Sequence, residues 1–553
     1  MIAANLVLPK ISYLAISPEI ALSAGALILL MINSLTSNKI KNSVYVVIAT
    51  VAGLISVGLE VALWHGIILH GSYKTLDGSL SVDGFSTLLG MVAATVFVLF
   101  ALSCETFLER ERWGGPEIFA LAALSSVGAQ LMAGADDLIL VFLGLEILSI
   151  ALYVMSAMDL RRVRSGEAAM KYLILGGMSS AIFVYGIALT YGATGSTNFT
   201  SIATFFKNNA LANNGLLLVG IILVLVGFSF KVSLAPFHVW TPDVYEGSPS
   251  PATMFMAAAA KVGGFAALLR AFSAGFGLYR EDWQPILWVL AALSMLVGSF
   301  GGLSQVNVKR MLAYSAINHS GFILLGLVSA TTVGIEASVS YLIAYSFFTM
   351  GAFSIVAIVG AKGDGSHGIN RFRGLSKSHP YLAGALALFL IAQAGIPFTS
   401  GFVAKVGVLE ALAATGGAGS YTLVTIALVT SVVSAFYYFR VVIAAYSPPK
   451  AILAKEDAKH RDGEPEHNKL EHDEVGYGEA IESPQDYASE LYELKELVTS
   501  NQTTGLKGKT AVFDDIKLKV STKISLSIMA LFTVGLGVVP NLLLDLARHA
   551  NIS

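Results

Sequence analysis

Apolar runs long enough to cross a bilayer recur about fourteen times along the chain. They fall at approximately 14–34, 43–64, 84–106, 115–134, 137–158, 168–192, 216–246, 251–273, 285–305, 309–330, 336–361, 380–415, 420–446 and 523–548, with short polar breaks between. The pattern predicts an all-α polytopic membrane protein with about 14 transmembrane helices. Two runs are punctuated. In span seven Pro236 lacks the N–H that would bond the carbonyl of Val232, so the helix breaks just past Lys231 and resumes over Phe237-His238-Val239-Trp240. In span twelve Gly395-Ile396-Pro397-Phe398-Thr399-Ser400-Gly401 interrupts the run. Lys405 then follows near the start of the second half, where the positive end of a helix dipole would help it release a proton. Broken spans five apart, each with a lysine beside the break, are expected of an inverted structural repeat. Spans four to eight and nine to thirteen are the natural pair, because five is an odd number and turns the second unit over. The expected divisions are 1–114 (spans one to three), 115–280 (a first half-channel), 281–446 (a second, inverted one), 447–522 (a polar insert) and 523–553 (span fourteen and the C-terminus).

Composition agrees: 55% of the 553 residues are hydrophobic and 13% charged, against about 25% charged in soluble domains. Short loops after odd-numbered spans carry thirteen Lys and Arg, and the opposite side carries six. The bias places both termini outside the cytoplasm. The insert holds ten basic against sixteen acidic residues, which makes it an acidic cytoplasmic loop. Its His460, His467 and His472 are spaced poorly for zinc, and no metal site is expected. One cysteine, Cys104, excludes a Cys-ligated iron–sulfur cluster and an internal disulfide in this chain.

Candidate chemistry lies in the spans themselves. Lys231, Lys261 and Lys405 each interrupt an apolar stretch. A lysine near mid-membrane costs about 2.5–3.5 kcal/mol on insertion scales, so three cost roughly 8–10 kcal/mol that alanine would avoid. Such residues by default mark an ion or proton path. A lysine in water keeps its proton to about pH 10.4, so exchange near neutrality requires an apolar setting. Glu146, near the middle of span five, supplies a charge whose approach or withdrawal would load or unload Lys231. His238 and His319 are possible relay members. Lys171, near a span end beside Arg164, fits a structural or snorkelling role as well as a relay role. Glu19, Glu60, Glu105 and Glu336 read as interfacial. The GxGxxG match from Gly363 to Gly368 follows no strand and is not read as a nucleotide site.

Two stretches carry a specific resemblance. Phe230-Lys231-Val232-Ser233-Leu234-Ala235-Pro236-Phe237-His238-Val239-Trp240-Thr241-Pro242-Asp243-Val244-Tyr245-Glu246-Gly247 resembles the span-seven signature of the antiporter-like membrane subunits of respiratory complex I. Lys309-Arg310-Met311-Leu312-Ala313-Tyr314-Ser315-Ala316-Ile317-Asn318-His319 resembles their span-ten signature. Tyr172-Leu173-Ile174-Leu175-Gly176-Gly177 and a Lys in span twelve resemble the subunit N branch of bacterial NADH:quinone oxidoreductases. The resemblance implies proton translocation, with Glu146 and Lys231 paired in the first half-channel, Lys261 connecting, Lys405 at the outlet and Lys171 as an additional lysine. It implies a bacterial inner membrane location, further antiporter-like subunits as partners, and no cofactor in this chain. FMN, iron–sulfur clusters and quinone would belong to partner subunits. The insert departs from the short connection usual in that branch. A subunit of a multi-subunit cation/proton antiporter without redox partners is the alternative.

Overall fold

The computed structural model describes residues 11–36, 40–208, 215–448, 513 and 516–552. The histidines of the insert and most of its length lie outside the described residues. The helices are α1 (Ser17–Leu35), α2 (Asn42–His70), α3 (Gly84–Arg110), α4 (Glu117–Gly134), α5 (Leu138–Ala157), α6 (Val163–Thr194), α7 (Phe199–Asn208), α8 (Gly215–Lys231), α9 (Trp240–Gly247), α10 (Ser250–Arg270), α11 (Arg280–Leu303) and α12 (Val308–Val328). They continue as α13 (Thr332–Val359), α14 (Leu375–Ser378), α15 (Pro380–Ala394), α16 (Ser400–Ala413), α17 (Gly417–Tyr446), α18 (Val520–Val538) and α19 (Pro540–Arg548). A short antiparallel hairpin, β1 (Tyr73–Thr75) with β2 (Leu80–Val82), joins α2 to α3.

Twelve helices among the described residues are long and apolar enough to cross a membrane. Spans seven and twelve complete the fourteen as broken pairs, α8 with α9 and α15 with α16. Packing repeats between the halves. In the first, α4 lies on α5 and α10, α5 on α6, and α6 on both pieces of the broken span. In the second, α11 lies on α12 and α17, α12 on α13, and α13 on both pieces. Every residue of α10 is buried, as is nearly all of α12 and most of α13. Intrahelical bonding satisfies the backbone in hydrocarbon, so these three can form a core that lipid never touches.

Small residues set the close approaches that membrane helices use for packing. A β-carbon at Gly128 of α4 would stand 2.5 Å from the carbonyl oxygen of Gly144 on α5. The last span docks on α3 through a buried hydroxyl seam: Thr106 Oγ1 donates to Thr522 Oγ1 at 2.8 Å, and Ser103 and Ser525 meet at 2.8 Å. Glu105, expected at the interface, is buried beside this seam and accepts from Ser521 Oγ. Glu60, also expected at a span end, lies inside α2 and is 4% exposed. That expectation was wrong because α2 runs on to His70, beyond the apolar window that ends near 64.

Loops on one face converge on Asp364. Its carboxylate accepts from Arg162 Nη1 at 2.8 Å, from Ser250 N at 2.9 Å and from Ser250 Oγ at 2.5 Å, with His367 Nε2 at 3.2 Å and Lys309 Nζ at 3.8 Å. Arg162 and Ser250 belong to the first half-channel and Lys309 and His367 to the second, so Asp364 ties the two repeats together. Burial opposes its charge, yet Lys309, His367 and Arg162 hold Asp364 well below the ordinary carboxylate range. Burial also lowers His367 to about 4, against the pull of Asp364.

Two predictions follow from this packing. Gly128→Ala should destabilise the protein by about 1–3 kcal/mol through overpacking, lowering its thermal midpoint in detergent. Gly166→Ala, with open space around it, should not. Both depressed groups take up protons more readily when unfolded, so their contribution is complete above about pH 6.5 and falls as pH drops through about 4. Thermal midpoints across that range should show the decline, and His367→Gln should flatten its upper part.

Candidate functional site

The break in span seven organises the site. α8 ends at Lys231, Ser233 adopts a positive φ of 60°, and the chain turns before α9 begins at Trp240, slightly later than the sequence suggests. Ala235 N donates to Ser294 Oγ of α11 at 2.9 Å, and Trp240 Nε1 returns to the carbonyl of Phe230 at 3.1 Å. The carbonyl of Val232, which Pro236 cannot bond, accepts instead from Lys261 Nζ on α10 and from Ser320 Oγ on α12 at 2.7 Å. Lys261 Nζ also donates to Ser320 Oγ at 2.6 Å. A freed backbone acceptor thus joins three elements.

Lys231 and Lys261 lie at this point, and Lys405 lies at the break in span twelve. Lys231, Lys261 and Lys405 are 3%, 1% and 5% exposed, which excludes snorkelling to the interface. Lys231 Nζ donates to Ser149 Oγ on α5 at 2.7 Å and lies 5.9 Å from the centre of the Tyr172 ring. Tyr172 itself stacks on Trp240 with centroids 4.5 Å apart. Glu146, one turn before Ser149, accepts from Ser180 Oγ of α6 and makes no direct ion pair with Lys231. Ser149 therefore shares a helix face with the acid and bonds the base.

His319 lies next to Ser320 on α12. Its Nδ1 meets Tyr341 OH at 2.7 Å and its Nε2 meets Tyr438 OH at 3.2 Å. Tyr438 OH contacts Ser315 Oγ, which donates to Gln393 Oε1 at 3.0 Å. Gln393 precedes Ala394, whose carbonyl at the end of α15 accepts from Lys405 Nζ at 3.0 Å. Ser431 Oγ of α17 accepts from Lys405 as well, at 3.0 Å, and the ammonium lies 4.9 Å from the centre of the Phe322 ring.

Lys405 differs from the expectation in one respect. Helical side chains lean toward the N-terminus, so Lys405 reaches back across the break to the last carbonyl of α15, the negative end of that half-helix. The positive end of α16 is not its sole neighbour. Gly395 at φ 85° and Phe398 at φ 67° shape the turn between the half-helices.

The remaining two candidates stand apart from the row. Lys171 is 41% exposed and pairs with Glu167 and Asp243, each at 2.8 Å. Asp243 also binds Arg310 at 2.7 Å, and Arg310 binds Glu246 at 3.0 Å, which makes Lys171 part of an ionic cluster over the broken span. His238 sits in the span-seven turn, its Nδ1 buried without a hydrogen-bond partner and no bond from it to the lysines. Sequence reasoning missed Ser149, Ser180, Ser320, Ser431, Tyr341 and Tyr438. A hydroxyl one turn from Glu146 and another adjoining His319 were the available signals. Among the described residues no group of three or more His, Cys, Asp or Glu could hold a metal ion, and Cys104 is buried.

Comparisons with known proteins agree with this geometry. The family described as NADH:quinone oxidoreductase/Mrp antiporter, TM, matches residues 135–434, the stretch from Glu146 through Lys405. NADH-quinone oxidoreductase subunit N of Trichlorobacter lovleyi is 37% identical over 434 residues, 78% of this chain and 87% of that protein. Subunit N of Chloroflexus aggregans is 38% identical over 448 residues, 80% and 89% of the two chains. A chain of respiratory complex I from Thermus thermophilus with bound aureothin superposes with a TM-score of 0.71 at 26% identity, covering 96% of this chain and 99% of that one. A chain of the Mrp complex from Dietzia sp. DQ12-45-1b shares the fold, with a TM-score of 0.75 at 18% identity over 97% and 96%. This multi-pass chain therefore belongs to the NADH:quinone oxidoreductase/Mrp antiporter membrane family, and within it to the subunit N group of NADH-quinone oxidoreductases.

Proposed function

We propose that the chain moves protons through the row Lys231, Lys261, His319, Lys405 in a bacterial respiratory NADH:quinone oxidoreductase. Its place there would be the inner membrane, with both termini outside the cytoplasm and further antiporter-like subunits beside it. FMN, iron–sulfur clusters and quinone would be handled by partner subunits, and redox energy would reach this chain as a shift in charge or conformation. The observation that carries the reading is the Val232 carbonyl, freed by Pro236 and bound by Lys261 and Ser320. It sits one peptide from Lys231 and links the first half-channel to the helix bearing His319.

The steps follow from the bonding. Glu146 drawn toward Ser149 stabilises an ammonium at Lys231, and its return to Ser180 withdraws that support. The released proton passes toward Lys261 and Ser320, then along His319 and Tyr438 to Ser315. The Gln393 amide accepts from Ser315 without carrying the proton onward, so water beside it would take the proton to Lys405. Buried polar atoms without protein partners, Ser229 Oγ, Ser233 Oγ, Gln393 Nε2 and Ser400 Oγ, flank the gaps in this chain of bonds. Buried groups of that kind are satisfied by water, which would complete the path. Moving one proton against about 150 mV requires roughly 3.5 kcal/mol, of the order that relocating one buried charge supplies. Lys171 and its ionic cluster would serve as the mouth rather than a step.

In complexes reconstituted into vesicles, Glu146→Gln and Lys231→Ala should each lower proton pumping about tenfold or more, equivalent to ~1.4 kcal/mol on the transfer barrier. Native gels should show normal assembly. Full pumping by assembled variants would refute the roles assigned here. Ser320→Ala should lower pumping while Ser320→Thr preserves it, because the hydroxyl rather than the volume is required. Sodium/proton exchange in vesicles lacking any electron donor would instead favour the cation antiporter reading.

A further inference from the structure

The spans ahead of the repeats contain a buried polar cluster that the lysine row does not use. Glu60 of α2 directs its carboxylate into space that Gly90 of α3 leaves open, and a β-carbon at position 90 would overlap Glu60 Oε1. From α4, Gln130, 3% exposed, donates Nε2 to Glu60 Oε1 at 3.1 Å and to Ser56 Oγ at 3.0 Å, with Gly90 O at 3.5 Å. Three acceptors around Nε2 fix the orientation of the amide. Gln130 Oε1 then points the other way, buried and without a partner. Glu19, in the first turn of α1, packs from the helix that covers both α2 and α4, and its Oε2 is likewise buried without a partner.

The cluster has a surplus of acceptors. α2 contributes the carboxylate of Glu60 and the Ser56 hydroxyl, α3 a backbone carbonyl, and α4 one amide as donor, while the Glu19 carboxylate of α1 acts on Glu60 as a nearby charge. The charge that acts on Glu60 from its neighbours is that of Glu19, and among the described residues neither carboxylate has a salt-bridge partner within 4.0 Å. An ionised Glu19 near an ionised Glu60 repels it, and of the two only Glu60 accepts from the amide. One proton on the pair eases both penalties, because it cancels a charge and supplies an O–H.

We propose that Glu19, Glu60 and Gln130 form a proton-binding site, in which the two carboxyl groups together hold one proton and Gln130 orients Glu60. The site lies roughly 15 Å along α2 from the helix end at His70, on the side where α1 begins. It is separate from the lysine row and does not depend on the role assigned to that row.

Infrared spectra of the full chain, purified with its partner subunits at pH 7, test the assignment. The carbonyl stretch of a protonated carboxylic acid should be present in the native protein and one such band should be lost in Glu60→Gln. Gln130→Leu should shift that band to higher frequency, because the amide hydrogen bond is removed. If Glu60→Gln does not assemble, Glu19→Gln reads the same band. Native and variant spectra that are identical in this region would mean that both carboxyls are ionised, and would overturn the proposal. Loss of the band on adding sodium but not potassium would make the occupant a metal cation and would also overturn it.

Discussion

A bilayer interior offers no water to a backbone carbonyl or an ammonium, so each must find a partner within the protein. Here they find one another. Pro236 removes one N–H from span seven, and the carbonyl it strands at Val232 becomes the acceptor for Lys261. Span twelve reaches the same solution with its own side chain, Lys405 bonding the last carbonyl before the break. The defect in the helix and the buried charge would each be costly alone. Together they fix two lysines, Lys261 and Lys405, at defined points in a dry core, and the inverted repeat supplies the arrangement twice.

The surrounding packing serves that constraint. α10, α12 and α13 are sheathed on all sides, so Lys261 and His319 never meet lipid. Aromatic rings shield the remaining faces: Tyr172 stacked on Trp240 by Lys231, Phe322 by Lys405, and Tyr341, Tyr345 and Phe348 around His319. Rings attract cations through their faces while excluding water. Asp364 and its partners close the structure outside the membrane, where strong ion pairing can hold two repeats in register without placing further charge in hydrocarbon.

Much of this was legible because the signals were local. Proline and glycine in otherwise apolar runs locate both breaks, and the i to i−4 bonding rule names Val232 as the stranded carbonyl before any coordinates are known. Lys231, Lys261 and Lys405 stand out against apolar neighbours for the same reason. The partners were less legible because they come from other helices. Ser149, Ser320 and Ser431 read as ordinary small residues of membrane spans until packing brings them to an ammonium. The direction of the Lys405 side chain depends on how the half-helices meet, and its bond to Ala394 could not follow from spacing alone. Glu60 was misplaced because the apolar window ended before the helix did. Asp364 lay within a glycine-rich stretch that resembles a nucleotide motif, and only the fold gives it Arg162, Ser250 and Lys309 as neighbours.

The count of donors and acceptors supports the proposed passage of protons along the row. An ammonium has three N–H donors and no acceptor. Lys261 and Lys405 each have two fixed acceptors, one carbonyl and one hydroxyl, so two donors are committed and the third is not. That third proton must be shared with water or with a neighbouring polar group, which makes it the one able to leave. A third fixed acceptor, and above all a carboxylate in contact, would hold it in place. Glu146 is therefore most useful where it is found, one turn from the Ser149 hydroxyl that meets Lys231 and bonded to a hydroxyl on another helix. A direct ion pair would make a stable anchor, whereas a carboxylate held off the ammonium can change the balance with a small movement.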